Sequence, residues 1–278
     1  MSQSHPVVFI HGLWLHATSW EHWLGLFRAG GYDPIAPTWP GESETVTETR
    51  RNPDGLANVG IDDLTAHFVR IIESFDAAPI LIGHSVGGMI VEKLIGEGHG
   101  AAGVAIDPAQ IKGVLPMPIR QLRATLPVMI NPSNVSKAVA LTGEQFRFAF
   151  GNQLSRHESD ELFEQWTIPS PARPLFQTGL VNFQLHSQAV VNTENENRAP
   201  LLIISGTEDN TEPEVIADST LKLYRSSNAV TEIRKFADRG HSLTIDGGWR
   251  EVASETLVWL REKGLGPQGS PRRTSARQ

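Results

Sequence analysis

The residues Gly83-His84-Ser85-Val86-Gly87 form a G-x-S-x-G pattern, and the serine at its centre is a candidate nucleophile. An apolar run of strand character precedes the pattern, and a run typical of a helix follows it. Glycine is needed on both sides because the nucleophile sits in a strained turn, where larger side chains would collide with the neighbouring strand and helix. We therefore predict that the Ser85 hydroxyl is exposed at the carboxyl edge of a sheet, beside a helix N-terminus.

Two further residues, His241 and Asp209, could activate this hydroxyl. A serine hydroxyl is a poor nucleophile until a base removes its proton, and histidine titrates near neutrality. An acid must in turn orient the imidazole and stabilise its protonated form. Parallel strands deliver the residues beyond their carboxyl ends to one edge, and both His241 and Asp209 follow predicted strands.

The acid has a second candidate, because Asp107 also directly follows a predicted strand. We favour Asp209, since it lies in a polar loop after a strand, whereas Asp107-Pro108 can equally begin a turn. Asp107 stays as the alternative.

The other histidines are weaker candidates for the base. Five fall on predicted helices, helix ends or termini, where we expect them to be solvated: His5, His22, His67, His99 and His157. His186 lies in a different segment and could line a pocket.

Attack on an ester carbonyl creates an oxyanion that needs two N–H donors in fixed positions. The backbone N–H of Val86, directly after the serine, can supply one of them. The loop after the first predicted strand can supply the second, from the amide of Leu13, which follows His11-Gly12.

The composition is that of an ordinary globular protein of 278 residues, with 40% hydrophobic and 20% charged residues. Its net charge of −7 argues against a general nucleic-acid surface. No apolar run reaches the roughly 18 to 20 residues of a membrane span, and residues 1–5 lack the pattern of a signal peptide. The absence of cysteine excludes disulfides, thiol catalysis and thiolate metal sites. We expect a cytoplasmic protein without cofactor or metal, and its oligomeric state stays open.

Short apolar runs alternate with helical patterns through most of the chain, which predicts a mostly parallel sheet of about six strands flanked by helices. The predicted strands are 6–10, 33–37, 80–82, 102–106, 200–204 and 230–236. This α/β core comprises residues 1–109 and 199–264.

Residues 110–198 interrupt the alternation with proline-punctuated apolar pieces and helix starts. They predict a helical insertion that covers the strand ends as a lid, although its helices could equally be core without a role in substrate choice. Residues 265–278 are rich in Gly, Pro, Ser and Arg and predict a disordered tail.

Four motifs together resemble the α/β-hydrolase superfamily, in its lid-bearing serine esterase, lipase and haloperoxidase-like branch. They are H-G-L-W at 11–14, G-H-S-V-G-G at 83–88, G-T-E-D at 206–209 and G-H-S-L at 240–243. The resemblance extends over residues 6–262 and implies the α/β-hydrolase fold, whose triad follows the chain order serine, acid, histidine. It implies Ser85 as nucleophile, His241 as base and Asp209 as acid, with the amides of Leu13 and Val86 as oxyanion hole.

Two features depart from this resemblance. We expect no counterpart of the superfamily's N-terminal hairpin, and therefore a sheet of six strands instead of eight. Thr38 also replaces an aspartate that commonly follows the second strand, without affecting a catalytic residue.

The resemblance implies a hydrolase that cleaves a carboxylic ester or lactone through an acyl-enzyme intermediate. Serine at position 85 argues against haloalkane dehalogenases and epoxide hydrolases, which resemble this fold but have aspartate there. Alternatives on the same triad are hydroxynitrile-lyase-like, C–C hydrolase or perhydrolase chemistry, and a third hypothesis is a ligand-binding receptor with little turnover. The substrate would be a small to medium-sized, moderately hydrophobic molecule. Tentative contacts to it are His11, Trp14, His84, Met117, Leu126, Met129 and His186, of which the methionines and leucine could equally be lid core.

Overall fold

A six-stranded parallel sheet runs through the protein in a computed structural model that describes residues 5–267. The described strands are β1 (Pro6–Ile10), β2 (Asp33–Ile35), β3 (Ile80–His84), β4 (Ala102–Ile106), β5 (Ala138–Val139), β6 (Ser170–Pro171), β7 (Leu201–Gly206) and β8 (Thr231–Phe236). The sheet has the order β2-β1-β3-β4-β7-β8, and β5 and β6 form a separate antiparallel pair. The prediction of about six parallel strands is therefore confirmed.

Helices cover both faces of this sheet. They are α1 (Glu21–Ala29), α2 (Val46–Arg51), α3 (Ile61–Glu73), α4 (Val86–Gly96), α5 (Ile119–Met129), α6 (Gly143–Ala149), α7 (Arg156–Trp166), α8 (Arg173–Gly179), α9 (Glu214–Leu223) and α10 (Trp249–Glu262). Four of them, α5 to α8, fall within residues 110–198.

The central strands are mainly apolar, as expected for strands with both faces covered. Val8 and Ile10 of β1 pack in one hydrophobic cluster with α3 and α4. Val7 and Phe9 point to the opposite face and pack with α1 and α10. This alternation joins the two helical layers to one sheet.

The ends of several strands differ from the sequence prediction by one or two residues. Strand β2 ends at Ile35 instead of residue 37. A 3₁₀ turn capped by His16 precedes α1. Ser170 lies in β6, and its hydroxyl accepts a hydrogen bond from the Trp14 amide at 2.6 Å.

Residues 110–198, which we call the cap, share a continuous apolar cluster with the sheet. Phe146, Phe150 and Trp166 of the cap belong to the same buried cluster as Ile10 and Met89. The backbone amide of His16 also donates to the Trp166 carbonyl at 3.0 Å. The cap is thus packed firmly on the core, while its action as a lid stays a prediction.

The two chain ends lie partly outside the described residues. Of the predicted tail, Leu265 packs against the core next to α10, and residues 268–278 lie outside the description. Residues 1–4, which bear on the signal-peptide prediction, lie outside it as well. Within 5–267, no helix is long and apolar enough to cross a membrane.

Candidate active site

Ser85 occupies a strained turn between β3 and α4, with φ 56° and ψ −122°. A positive φ is uncommon for a residue with a side chain and persists only where the surroundings hold it. Here the Ser85 amide donates to the Ile106 carbonyl at 2.9 Å, and the Ser85 carbonyl accepts from the amides of Met89 and Ala109 at 3.0 Å each. The turn is therefore fixed by the neighbouring strand and by the first turn of α4.

The two glycines of the pattern allow this turn to pack closely. A Cβ atom at Gly83 would lie 2.1 Å from the carbonyl oxygen of Gly87, and one at Gly87 would lie 2.2 Å from that of Ile10. Both distances are far shorter than a van der Waals contact, and the obstacle is backbone in each case. The chain can bring Ser85 to this edge only because both positions lack a side chain.

His241 and Asp209 meet at the same edge, after β8 and β7. Nδ1 of His241 donates to Oδ2 of Asp209 at 2.6 Å, and both side chains are fully buried. Oδ1 of Asp209 accepts from the amides of Thr211 and Glu212 at 2.6 and 2.9 Å, which fixes the carboxylate. Nε2 of His241 has no hydrogen-bond partner among residues 5–267 and can accept a proton.

Asp107, the alternative acid, is also buried near this pair and has a positive φ of 41°. Its Oδ1 accepts from the Gly206 amide at 2.8 Å, and its Oδ2 has no partner in the described chain. Burial, and then the negative charge of Asp209, raise the pKa of Asp107 well above its usual range. Because Asp209 accepts the hydrogen bond from Nδ1 of His241, the geometry favours Asp209 as the acid.

His84 lies directly against His241, with ring centroids 4.5 Å apart. Burial, and then the proximity of His241, lower the pKa of His84 well below its usual value, so that this imidazole is neutral. Its Nε2 therefore donates to the His241 carbonyl at 2.9 Å. This hydrogen bond holds the backbone of the loop that carries His241.

His84, Asp107 and His241 each place one potential ligand atom within 4.8 Å of the others, a spacing that could hold a metal ion. One nitrogen of each histidine is already engaged, that of His241 with Asp209 and that of His84 with a carbonyl. Use of His241 as a metal ligand would compete with its use as a base.

The loop after β1 carries Leu13, whose amide is the second predicted oxyanion donor. Leu13 is buried, and no hydrogen-bond partner of its amide, or of that of Val86, is found in the described part of the chain. Glu42 anchors the loop by accepting from Nε2 of His11 at 3.1 Å and from the Ala17 amide at 3.2 Å. Glu42 thereby fixes the loop that carries Leu13, while the amides of Leu13 and Val86 stay available.

Three of the tentative substrate contacts are buried within the framework of the site. His11 stacks on Trp39 at 4.4 Å, and its two ring nitrogens face Glu42 and the Gly12 carbonyl. Trp14 donates from Nε1 to the Val139 carbonyl at 3.0 Å. His84 packs against His241, as described above, so all three support neighbouring groups.

The other four tentative contacts belong to the cap. Met117 and Met129 line a cavity of about 260 Å³, which we call the cap cavity. Leu126 lies on an outer groove of α5, and His186 is exposed on the cap surface. The structure thus brings two of the four together.

Three residues near the site carried no functional prediction. Phe150 of the cap packs edge-on against the His241 ring at 4.8 Å, and no sequence signal marks it. Glu212 and Gln121 form a buried hydrogen-bonded pair in the cap cavity. Glu212 could have been noticed, since it lies three residues after Asp209 in the same polar loop.

Solved structures with this architecture come from several organisms. One is a monoacylglycerol lipase from Paleococcus ferrophilus, with 20% sequence identity, coverage of 94% of this chain and 97% of that chain, and a TM-score of 0.65. A methylesterase from Arabidopsis has 16% identity, coverage of 93% and 99%, and a TM-score of 0.67. An extracellular α/β-hydrolase from a Paenibacillus species has 19% identity, coverage of 91% and 98%, and the same TM-score of 0.67. At these identities the likeness shows the fold alone.

A comparison with curated protein sequences finds no match. The model of the alpha/beta hydrolase family, in contrast, matches residues 7–255 and so includes Ser85, both candidate acids and His241. The chain therefore belongs to the alpha/beta hydrolase family.

Proposed function

We propose that this protein is a serine hydrolase that cleaves a carboxylic ester or lactone of a small to medium-sized, moderately hydrophobic substrate. The observation that carries the proposal is the 2.6 Å hydrogen bond from Nδ1 of buried His241 to Asp209, which leaves Nε2 as an unpaired proton acceptor at the edge where Ser85 is strained. A lipase and a methylesterase among proteins of this fold agree with this reaction class.

In the first half-reaction, Nε2 of His241 takes the Ser85 proton while the serine oxygen attacks the carbonyl carbon. The amides of Leu13 and Val86 stabilise the oxyanion that forms. The tetrahedral intermediate then collapses, and His241 donates the proton to the leaving alcohol. Asp209 stabilises the imidazolium in between.

In the second half-reaction, water takes the place of the alcohol. His241 removes a proton from this water, the resulting hydroxide attacks the acyl carbon, and the proton returns to Ser85 as the acid leaves. For a lactone, the alcohol and the acid are two ends of one product.

The proposal is tested with p-nitrophenyl acetate and butyrate on the wild type, Ser85→Ala and the control Ser74→Ala, whose hydroxyl bonds only within α3. We expect turnover that is lost in Ser85→Ala and retained in Ser74→Ala, and a serine-directed phosphonate should add its mass to Ser85. Saturable ligand binding without turnover of any ester would contradict the proposal. Activity only on cyanohydrins, on diketone C–C bonds or in peracid formation would replace it by another reaction of the same triad.

A further inference from the structure

The cap cavity contains a polar pair that the proposed ester hydrolysis does not require. Its volume of about 260 Å³ greatly exceeds the ~10–15 Å³ that one water molecule needs, so it has room for an organic group. Its walls are mainly apolar and include Met117, Leu122, Met129, Leu175, Leu180 and Phe183. Such walls suit an aliphatic or aromatic group without charge.

Gln121 and Glu212 lie among these apolar walls, and both are more than nine-tenths buried. Nε2 of Gln121 donates to Oε2 of Glu212 at 3.0 Å. Oε1 of Gln121 is buried without a hydrogen-bond partner in the described residues. A buried acceptor in this state is unfavourable unless a ligand supplies the missing donor.

The environment of Glu212 favours the protonated form of its carboxyl group. Burial, and then the charge of Asp209, raise the pKa of Glu212 well above its usual range. In the protonated form this carboxyl group can donate a hydrogen bond. The pair as a whole offers one hydrogen-bond acceptor and one donor, with no net charge.

The cap cavity is also connected to the candidate active site through the backbone. The Glu212 amide donates to Oδ1 of Asp209 at 2.9 Å. Gln110, another residue of the cavity wall, directly follows Ala109, whose amide donates to the Ser85 carbonyl at 3.0 Å. The segments that hold Ser85 and Asp209 thus also contribute residues to the wall of the cap cavity.

We propose that the cap cavity binds one half of the ester substrate, an apolar chain that ends in an uncharged hydroxyl group, with this hydroxyl paired to Gln121 and Glu212. A hydroxyl donates to Oε1 of Gln121 and accepts from the Glu212 carboxyl, whereas a ketone only accepts. A carboxylate is disfavoured by the apolar walls and by nearby Asp209. The inference rests on the proposed ester hydrolysis for the ester itself and adds the substrate class.

The test compares matched esters with and without the terminal hydroxyl. One pair is p-nitrophenyl hexanoate and p-nitrophenyl ω-hydroxyhexanoate, and the other is hexyl acetate and ω-hydroxyhexyl acetate, so that either half of the ester can carry the hydroxyl. In at least one pair we expect kcat/KM to favour the hydroxylated ester by about tenfold, the usual effect of one buried hydrogen-bonded group. Equal or lower kcat/KM for both hydroxylated esters would overturn the inference.

Variants of the cavity wall then test which side chain causes the preference for the hydroxylated ester. In Gln121→Met the hydroxyl preference should fall to about onefold, since methionine keeps the length and loses the acceptor. Thr125→Val alters another polar side chain of the cavity wall, whose hydroxyl bonds back to the Gln121 carbonyl, and should keep the preference. Circular dichroism checks that each variant is folded, and a preference that persists in folded Gln121→Met would overturn the inference.

Failure of the proposed function is distinguishable from failure of this inference. If the wild type hydrolyses none of the four esters, the proposed function fails. The same esters are also titrated against Ser85→Ala by calorimetry, where hydrolysis plays no part. About tenfold tighter binding of a hydroxylated ester supports the inference, and equal binding in both pairs overturns it.

Discussion

The carboxyl edge of the sheet and the cap differ in how firmly they hold their side chains. Asp209 and His241 at the edge are fully buried, whereas α5 of the cap exposes Ile119 by 85% and Leu126 by 44%. At the edge, backbone and polar groups hold each candidate catalytic side chain in place. Side chains on the outer side of the cap are held mainly by contacts with residues on its inner side.

This difference implies that substitutions in the cap and substitutions at the edge of the sheet should have different effects on activity. A substituted side chain at the edge meets backbone within a few ångströms, as at Gly83 and Gly87, so substitutions there affect every substrate. A side chain in the cap cavity meets other flexible side chains, such as Met117 and Met129. Substitutions there should alter which substrate is used more than how the bond is broken.

The largest effect is expected for the base. His241→Gln should lower kcat/KM about 10⁴-fold for every ester tested, because the proton acceptor is lost. His157→Gln, on the exposed surface of α7, is the matched control and should leave kcat/KM unchanged. Steady-state kinetics on esters of different length measures kcat/KM of both variants. A loss confined to one ester would contradict a role of His241 in the hydrolysis of every ester.

The next largest effect distinguishes Asp209 from Asp107 as the acid that orients His241. Asp209→Asn should lower kcat/KM by about 10²–10⁴-fold, because the amide cannot stabilise the imidazolium. Asp107→Asn should lower kcat/KM less than about tenfold, since the hydrogen bond from His241 goes to Asp209. A greater loss in Asp107→Asn than in Asp209→Asn, measured in the same assay, would identify Asp107 as the acid.

A smaller effect is expected in the cap. Met129→Ala enlarges the cap cavity and should shift the ratio of kcat/KM for octanoate over butyrate esters by about three- to tenfold, as is usual for a few methylene groups in an apolar pocket. Ile130→Ala changes the next residue, which is 71% exposed on the outer groove, and should leave the ratio unchanged. Equal ratios in both variants would show that the cavity does not receive this chain.

The smallest effect on activity is expected at Glu92, inside the helix that begins after Ser85. Glu92 is fully buried, and burial raises its pKa from 4.5 to about 8, with one oxygen accepting from the Tyr224 hydroxyl at 2.9 Å. The folded state binds this proton more tightly than the unfolded state. The stability it contributes is therefore fully present below pH 4.5 and is lost as the pH rises through about 8.

Glu92→Gln, which keeps the shape and does not titrate, should remove this dependence. Relative to the variant, the wild type should lose on the order of a few kcal/mol of unfolding free energy between pH 5 and pH 8, measured by urea denaturation. At neutral pH, kcat/KM should be the same in both proteins. Parallel pH profiles of stability would show that Glu92 is ionised in the folded state.

Much of the edge was predictable from the sequence, because its signals are local. The apolar runs around residues 6–10 and 80–84 and the glycines beside Ser85 specify strands and a turn within a few residues. The six-strand sheet followed from the alternation of such runs with helical patterns. Ser85, His241 and Asp209 were candidates because parallel strands end at one edge.

The sequence by itself thus determined the fold class, the strand order in the chain and the short list of reactive residues. Only the tertiary structure decided that Asp209 and not Asp107 bonds to His241, since both aspartates follow strands. It also decided that Gln121 pairs with Glu212, 91 positions away, and that His186 lies on the surface. The physical reason is range: turns and periodic patterns act between near neighbours in the chain, whereas the meeting of distant side chains depends on how the cap packs on the sheet.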